Sequence, residues 1–501
     1  MTTLRLLKVE AMRRVDAAAM AGGTPGRVLM EHAGAAVAAR ARMLVPEGAR
    51  ILILCGPGNN GGDGYVAARL LVEAGCAIDL VGLMPVAALT GDAAEAAADW
   101  AGAVGTLEAL GDLAAYTLVI DAMFGAGLAR DLDADLIDLV ARLAKSGRPV
   151  LAVDVPSGID GDTGAVRGAA VQATETVTFV ALKPGHMLQP GCAHCGTLHV
   201  AEIGTGDAAL IAGFADEAPL WRNDPALWAN TLPRLTAASH KYTRGHALVL
   251  SGPATRTGAA RLAARGALRV GAGLVTLVSP TAALAENAAH CTAIMLRACD
   301  SADDLDDLLT DERLNVVLAG PGLGAGSATR DLVAVAAATG RALVLDADAL
   351  TSFRGQARLL AAHLSDGQAL AVLTPHEGEF ARLFEGTDAV DPEACKLERA
   401  RRAAALTDAV VVLKGADTVI AAPDGRAAIN DHGTPYLGTA GSGDVLAGLV
   451  AGLLAQGMAP FEAACAAVWL HGDAGLRHGP GLIAEDLPEV MPAVLRALLC
   501  A

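Results

Sequence analysis

Residues 438–444 read GTAGSGD and lead straight into an apolar stretch, 445–455, that has the character of a buried helix. The glycines let backbone N–H groups turn toward one point, and a helix N-terminus adds a dipole that favours an anion there. Asp444 then stands where a substrate hydroxyl would attack a phosphate. The same residues also make a Gly-rich turn with an Asp capping the helix that follows.

Three further runs in the first half could carry chemistry: GPGNNGGDG at 56–64, DAMFGAGLARD at 121–131 and VDVPSGIDGDTG at 153–164. Asn60, Asp121 and Ser157 offer hard oxygen donors, which suit a group I or II cation better than zinc. Each also serves as an ordinary turn or cap residue. Asp154 ends an apolar run, either as a cap or as an acid/base group with a perturbed pKa. Residues 56–61, GPGNNG, have G-x-G-x-x-G spacing, but no acid sits at the ribose offset, so a simple NAD(P) oxidoreductase fits poorly. Cys192 and Cys195 form a lone C-x2-C around His194 with no second ligand pair, which reads as a turn rather than a zinc knuckle.

These runs need a frame to position them. Short apolar strands are expected at 51–55, 77–83, 117–121, 149–154 and 175–180, with helical patterns such as 65–73 and 131–145 between them. Alternating strands and helices predict a parallel, doubly wound sheet, and ligands of such sheets bind outside the carboxyl ends of the strands. A second α/β series has strands expected at 247–251, 274–279, 315–319, 342–346, 369–374 and 409–413. Between the series, acids and Pro219, Pro225 and Pro233 break the pattern. The organisation expected is a domain at 1–213, a connector at 214–232 and a domain at 233–501. No internal repeat relates the halves.

At 501 residues the chain exceeds what one hydrophobic core supports. A net charge of -17 without a basic run disfavours nucleic acid and acidic membranes as partners. The nine scattered cysteines suggest reduced thiols in a cytoplasm. No signal peptide is apparent. The most apolar stretch, 445–470, is broken by Gln456, Gly457, Pro460 and Glu462 and reads as two buried helices rather than a membrane span.

In order and spacing, GPGNNGGDG, DAMFG and VDVPSG resemble the N-terminal domain of the bifunctional NAD(P)H-hydrate repair enzymes. KYTRGHALVLSG, RVGAGLV, GPGLG, LDADAL, TPHEGE, LKGADTVI and GTAGSGD resemble the ribokinase-like C-terminal domain of that family. The resemblance spans roughly residues 7–498. It implies a Rossmann-like three-layer domain followed by a ribokinase-like α/β domain.

For the first domain it implies an epimerase that interconverts the R and S forms of hydrated NADH or NADPH at C6 of the nicotinamide ring. Asn59, Asn60, Gly61, Gly62 and Asp63 match segments that hold the hydrate, as do Gly125, Ala126, Gly127, Leu128, Ala129, Arg130 and Asp131. Asn60, Asp121 and Ser157 match potassium ligands. Asp154 matches the carboxylate beside the reacting carbon and is the candidate acid/base. One departure stands at His32, where the family usually has Asn.

For the second domain the resemblance implies an ADP-dependent dehydratase of the S-hydrate, working with magnesium. Asp444 would activate the ring hydroxyl toward the terminal phosphate of ADP, and elimination of phosphate would restore the dihydronicotinamide. Backbone N–H groups of residues 440–443 would stabilise developing charge. Lys414, Gly415, Ala416, Asp417, Thr418 and Gly443 match the adenine-nucleotide site. Ala259, Gly322, Gly324, His376 and Asp444 match hydrate contacts. His376 also reads as a bystander at a helix start, and Asp346 and Asp348 as magnesium positioners or caps. A homo-oligomer is implied as well. The rival readings are a small-molecule kinase in the second half and a non-catalytic binding module in the first.

Overall fold

The computed structural model describes residues 4–215 and 217–499. The chain forms two compact units that meet in sequence at Glu217 and Ala218. Asp216, inside the expected connector, lies outside the described residues, as do the extreme ends of the two expected domains.

The first unit holds seven strands: β1 (Arg50–Cys55), β2 (Ala77–Gly82), β3 (Val104–Gly105), β4 (Leu118–Ala122), β5 (Val150–Val153), β6 (Glu175–Phe179) and β7 (Thr197–Ala201). Their order is β3-β2-β1-β4-β5-β6-β7, with every pairing parallel. In β1, Ile51 and Ile53 point into one apolar cluster and Leu52 and Leu54 into another, and all four are fully buried. A strand that is apolar on both faces needs cover on both. Helices Val9–Ala21, Gly26–Leu44 and Asn59–Glu73 cover one face, and Ala134–Ser146 covers the other. This is the expected three-layer arrangement.

The second unit holds β8 (Leu220–Arg222), β9 (His246–Leu250), β10 (Leu274–Ser279), β11 (Met295–Ala298), β12 (Val316–Ala319), β13 (Ala342–Leu345), β14 (Ala371–Leu373), β15 (Val410–Leu413), β16 (Thr418–Ala421) and β17 (Ala427–Asn430). The order is β11-β10-β9-β12-β13-β14-β15-β16-β17-β8. Pairings from β11 to β15 are parallel, β15-β16-β17 is antiparallel, and β8 adds in parallel at the edge. Helices Thr257–Val270, Ser442–Ala455, Pro460–His478 and Asp486–Leu499 build the main core against this sheet. The apolar stretch 445–470 thus forms two helices, and no described helix is long and apolar enough to cross a membrane.

Several elements differ from expectation. Leu220–Arg222, inside the segment read as a connector, is a strand because it pairs with β17, which no local pattern shows. β3 has two residues and β7 alternates only weakly, so neither carries a strong period. β16 and β17 form a hairpin closed by Pro423, Asp424 and Gly425 (φ +87°), a turn signal present in the sequence. The helix after β1 begins at Asn59 rather than Tyr65, because the glycines of its first turn lie against the sheet.

Both sheets reverse direction once. In the first, β2 lies on one side of β1 and β4 on the other; in the second, β10 and β12 flank β9 in the same way. The crevice at the carboxyl ends of such a pair is the ligand site of this architecture. A glycine permits close approach at each. A Cβ on Gly56, after β1, would lie 1.6 Å from the Met123 carbonyl oxygen, and one on Gly252, after β9, would lie 1.8 Å from the Gly322 oxygen.

Candidate active sites

In the first unit, loops after β1, β4 and β5 and helix Val9–Ala21 enclose a cavity of about 750 Å³. Asn59, Asn60, Asp63, Gly125, Ala126, Gly127, Leu128, Ala129, Arg130 and Asp154 line it. Gly61, Gly62 and Asp131 are not among the lining residues. A Cβ on Gly61 would strike the Gly56 oxygen at 2.0 Å, so this glycine lets the loop fold onto the helix start.

Asp154 follows β5 in a left-handed conformation, φ 65°. Its Oδ2 accepts a hydrogen bond from Ala126 N at 2.8 Å. Its Oδ1 accepts from Lys183 Nζ at 2.7 Å and Thr178 Oγ1 at 3.1 Å. Burial pushes this carboxyl up, but the Lys183 ammonium and these bonds outweigh it and hold the pKa at about 2. Asp154 is therefore a fixed carboxylate at neutral pH. His186 Nε2 donates to the Asp154 carbonyl at 2.8 Å, and burial lowers its pKa to about 4, so the ring is neutral.

Asp121 is fully buried. It accepts from Ser157 Oγ at 2.6 Å, Ser157 N at 2.8 Å and Met123 N at 3.3 Å. Asn60 and Asp154 both approach Gly125, whose Cβ would lie 2.9 Å from Asp154 Oδ2 and 3.2 Å from Asn60 Oδ1. Asn60 Nδ2 is buried without a hydrogen-bond partner. His32 is not in the cavity lining; its Nδ1 donates to the Ile203 carbonyl at 2.7 Å. Cys195 donates its thiol to the Gly191 carbonyl at 3.2 Å, within one local turn.

Sequence reasoning passed over Lys183 and Asp16. Lys183 lies in the ALKPGH run just after β6, a lysine inside an apolar segment, and it is buried. Asp16 interrupts an Ala-rich helix and also lines the cavity.

In the second unit, strand ends again supply the groups. Lys414, after β15, donates to Asp346 Oδ1, after β13, at 2.9 Å, and its ammonium is 3.9 Å from Glu379 Oε2. Asp346 stands at the start of helix Ala347–Ser352 yet makes no side-chain cap, because Lys414 engages its carboxylate. Asp348 Oδ2 accepts from Gly324 N at 2.8 Å, tying the β12 and β13 loops together. Ala259 and Gly322 are neighbours, 3.5 Å from the Ala259 Cβ to a Cβ on Gly322.

Asp444 lies in the first turn of Ser442–Ala455, after Gly441 at φ 86°. Burial raises its pKa to about 7; Asp346 adds to the rise and Lys414 opposes it. A Cβ on Gly443 would lie 3.3 Å from Lys414 Nζ, so the ammonium and this helix start face one another. His471 reaches Ser442 Oγ and the Ser442 carbonyl at 3.0 Å each, fixing the turn from the neighbouring helix.

Residues 414–418 form a tight turn in which Thr418 Oγ1 donates to Gly415 O at 2.8 Å. The Asp417 carboxylate accepts from Lys396 Nζ at 2.6 Å, so this side chain holds an ion pair. His376 is itself the cap of helix Glu377–Leu383. Its Nδ1 accepts from Gly378 N at 2.9 Å and Glu379 N at 3.3 Å, while Glu379 Oε2 accepts from His376 N at 2.9 Å.

Two α/β units, each with polar groups gathered at strand ends by Gly-rich loops, have the architecture of a two-domain enzyme acting on small molecules. Residues 247–488 match the family described as NAD(P)H-hydrate dehydratase, and residues 26–185 match the family described as YjeF-related protein N-terminus. The bifunctional NAD(P)H-hydrate repair enzyme Nnr of Moorella thermoacetica is 39% identical, over 95% of this chain and 93% of its own. Its counterpart in Escherichia coli is 34% identical, over 93% of this chain and 89% of its own. A solved ADP/ATP-dependent NAD(P)H-hydrate dehydratase from Bacillus subtilis, co-crystallised with ATP and magnesium, is 30% identical with a TM-score of 0.49, covering 57% of this chain and all (100%) of its own. The chain belongs to the family of bifunctional NAD(P)H-hydrate repair enzymes, a Rossmann-like domain followed by a ribokinase-like one.

Proposed function

We propose that the first unit interconverts the R and S hydrates of NADH and NADPH, and that the second dehydrates the S-hydrate at the expense of ADP, giving NAD(P)H, AMP and phosphate. The observation that carries this reading is Asp444, a carboxyl poised near pH 7 in the first turn of a Gly-preceded helix, opposite the Lys414 ammonium. Once ionised, Asp444 takes the proton of the ring hydroxyl as that oxygen attacks the terminal phosphate of ADP. Backbone N–H groups at the helix start and Lys414 stabilise the transferring charge. Phosphate then leaves from C6 and a ring proton from C5, restoring the double bond.

The segment 414–418 with Gly443 holds the nucleotide, and Ala259, the Gly322/Gly324 loop and His376 contact the hydrate. Asp346 Oδ1 is taken by Lys414 and Asp348 Oδ2 by Gly324 N, so their second oxygens would be the ones to hold magnesium, which would offset phosphate charge. In the first unit, Asp154 faces C6 while that carbon loses and regains its hydroxyl, and its fixed charge favours the cationic ring. Asn60, Asp121 and Ser157 would hold potassium through oxygen alone: Asn60 lines the cavity, and the buried Asp121 carboxylate accepts from Ser157 Oγ, which itself accepts from the cavity-lining Phe124.

The test is recovery of reduced-nicotinamide absorbance from an equal mixture of R and S NADH hydrates with enzyme, potassium, magnesium and ADP. Full recovery is expected. A fast phase that stalls near half amplitude removes the epimerase assignment, and a stable phosphorylated product without released phosphate replaces dehydratase by kinase. Exchange of potassium for a large organic cation should slow only the epimerase phase; an unchanged rate removes the cation assignment.

A further inference from the structure

The first cavity contains more carboxyl groups than cations able to pair with them. Asp16, Asp63 and Asp154 line it together with Lys183. An ammonium has three N–H donors. Those of Lys183 are accounted for by Asp154 Oδ1 at 2.7 Å, Thr178 Oγ1 at 2.8 Å and the Phe179 carbonyl at 3.3 Å. Arg13, on the same helix as Asp16, is paired with Glu10 at 3.1 Å and largely exposed. Asp16 thus feels Lys183 and Asp154 only through space and takes no hydrogen bond from a described residue.

Resting on the epimerase reading above, we propose that Asp16 is a further catalytic residue of the first site, the acid that protonates the C6 hydroxyl as it leaves and then regains a proton from solvent. Three carboxylates around one saturated buried ammonium cannot all ionise, since Arg13 and Arg130, which also line the cavity, are exposed to solvent. Asp154 holds three hydrogen bonds, one of them the ion pair with Lys183, so it keeps its charge and has no proton to give. Asp63 is more deeply buried than Asp16, and burial together with Asp154 and Asp16 pushes it well up, which makes it a reluctant donor. Burial raises Asp16 to about 6, with Lys183 opposing and Asp154 adding, near the pH at which a shuttling acid works best.

The step balances without an oxidant or reductant. The C6–O bond breaks, the Asp16 proton completes a water molecule, and the N1 lone pair forms the C6=N1 cation opposite the Asp154 carboxylate. Water then adds to the other face of C6. Its surplus proton leaves to solvent, and the partly exposed Asp16 regains one from solvent.

The experiment follows the full chain on pure R-hydrate, with the spontaneous rate subtracted, and on pure S-hydrate with ADP. Asp16→Asn should lower kcat for epimerisation about 10²-fold or more, with KM changed less than about threefold and dehydration intact. The wild-type rate should fall as pH rises through about 6, and that limb should be absent in Asp16→Asn. Asp63, Asp92, Arg13, Arg130, Asp154 and Lys183 also line the cavity, so the limb is assigned by its loss in the variant rather than by position alone. Asp16→Glu should restore part of the rate and the limb. Epimerisation within about threefold of wild type in Asp16→Asn overturns the proposal and leaves the epimerase reading intact. An Asp16→Glu variant as inactive as Asp16→Asn also overturns it. A wild-type chain that leaves R-hydrate untouched overturns the epimerase reading, and this proposal with it.

Discussion

The two central carboxyls are tuned in opposite directions by their neighbours. Asp154 is held at about 2 because the Lys183 ammonium and the Ala126 N–H outweigh burial, whereas Asp444 is raised to about 7 because burial and nearby acids outweigh Lys414. A base that must accept a proton needs ionisation, so the dehydration rate should rise with pH through about 7 and level off above it; a flat profile from pH 5 to 9 would remove Asp444 as the base. Asp444→Ala should lower dehydration about 10²-fold or more and leave epimerisation unchanged, and Asp154→Ala should do the reverse, both read on separated hydrates. Lys183→Met strips the cation from a buried carboxylate and should cost about 3 kcal/mol in denaturant unfolding at neutral pH. The sign is fixed by the depressed Asp154 pKa: the stabilisation is present above its unfolded value near 4 and fades as pH falls through about 2, so the variant and wild type should converge in acid.

At the scale of elements, the loops at the two reversal points control both sites. Gly56 and Gly252 each place backbone where a side chain would collide with the facing loop. The predicted result of Gly56→Ala is loss of most epimerisation with dehydration retained, and of Gly252→Ala the converse. Retention of both activities in either variant would show that the loops have slack which the close approaches at 1.6 Å and 1.8 Å deny. The helix Ser442–Ala455 illustrates a second element-level principle. Its buried body fixes the axis, and Ser442, held by His471, fixes its first turn, so Asp444 is aimed by packing on both sides.

For the whole molecule, each unit has its own sheet and its own apolar clusters, so neither site needs the other's residues. A mixture of Asp154→Ala and Asp444→Ala chains should therefore convert an equal mixture of R and S hydrates completely, because the S-hydrate formed on one chain diffuses to another. Conversion that stalls near half would show that the intermediate must pass within a single chain.

The sequence alone determined a good deal. Strand–helix alternation announced two α/β units, the first with a parallel sheet, and most central strands were legible because a strand buried on both faces is apolar throughout. The Gly-rich runs and Asp444 were legible because backbone approach to an anion admits few side chains. What the sequence left open was decided in three dimensions. β8 is a strand only through its pairing with β17, and Asp417 faces Lys396 only because two distant segments meet. His376 caps its own helix, a role its spacing left undecided. Lys183 and Asp16 looked like ordinary residues of a strand end and a helix. Their meaning comes from sharing a cavity with Asp154, since the charge state of a buried group is set by what packs against it and not by its neighbours in the chain.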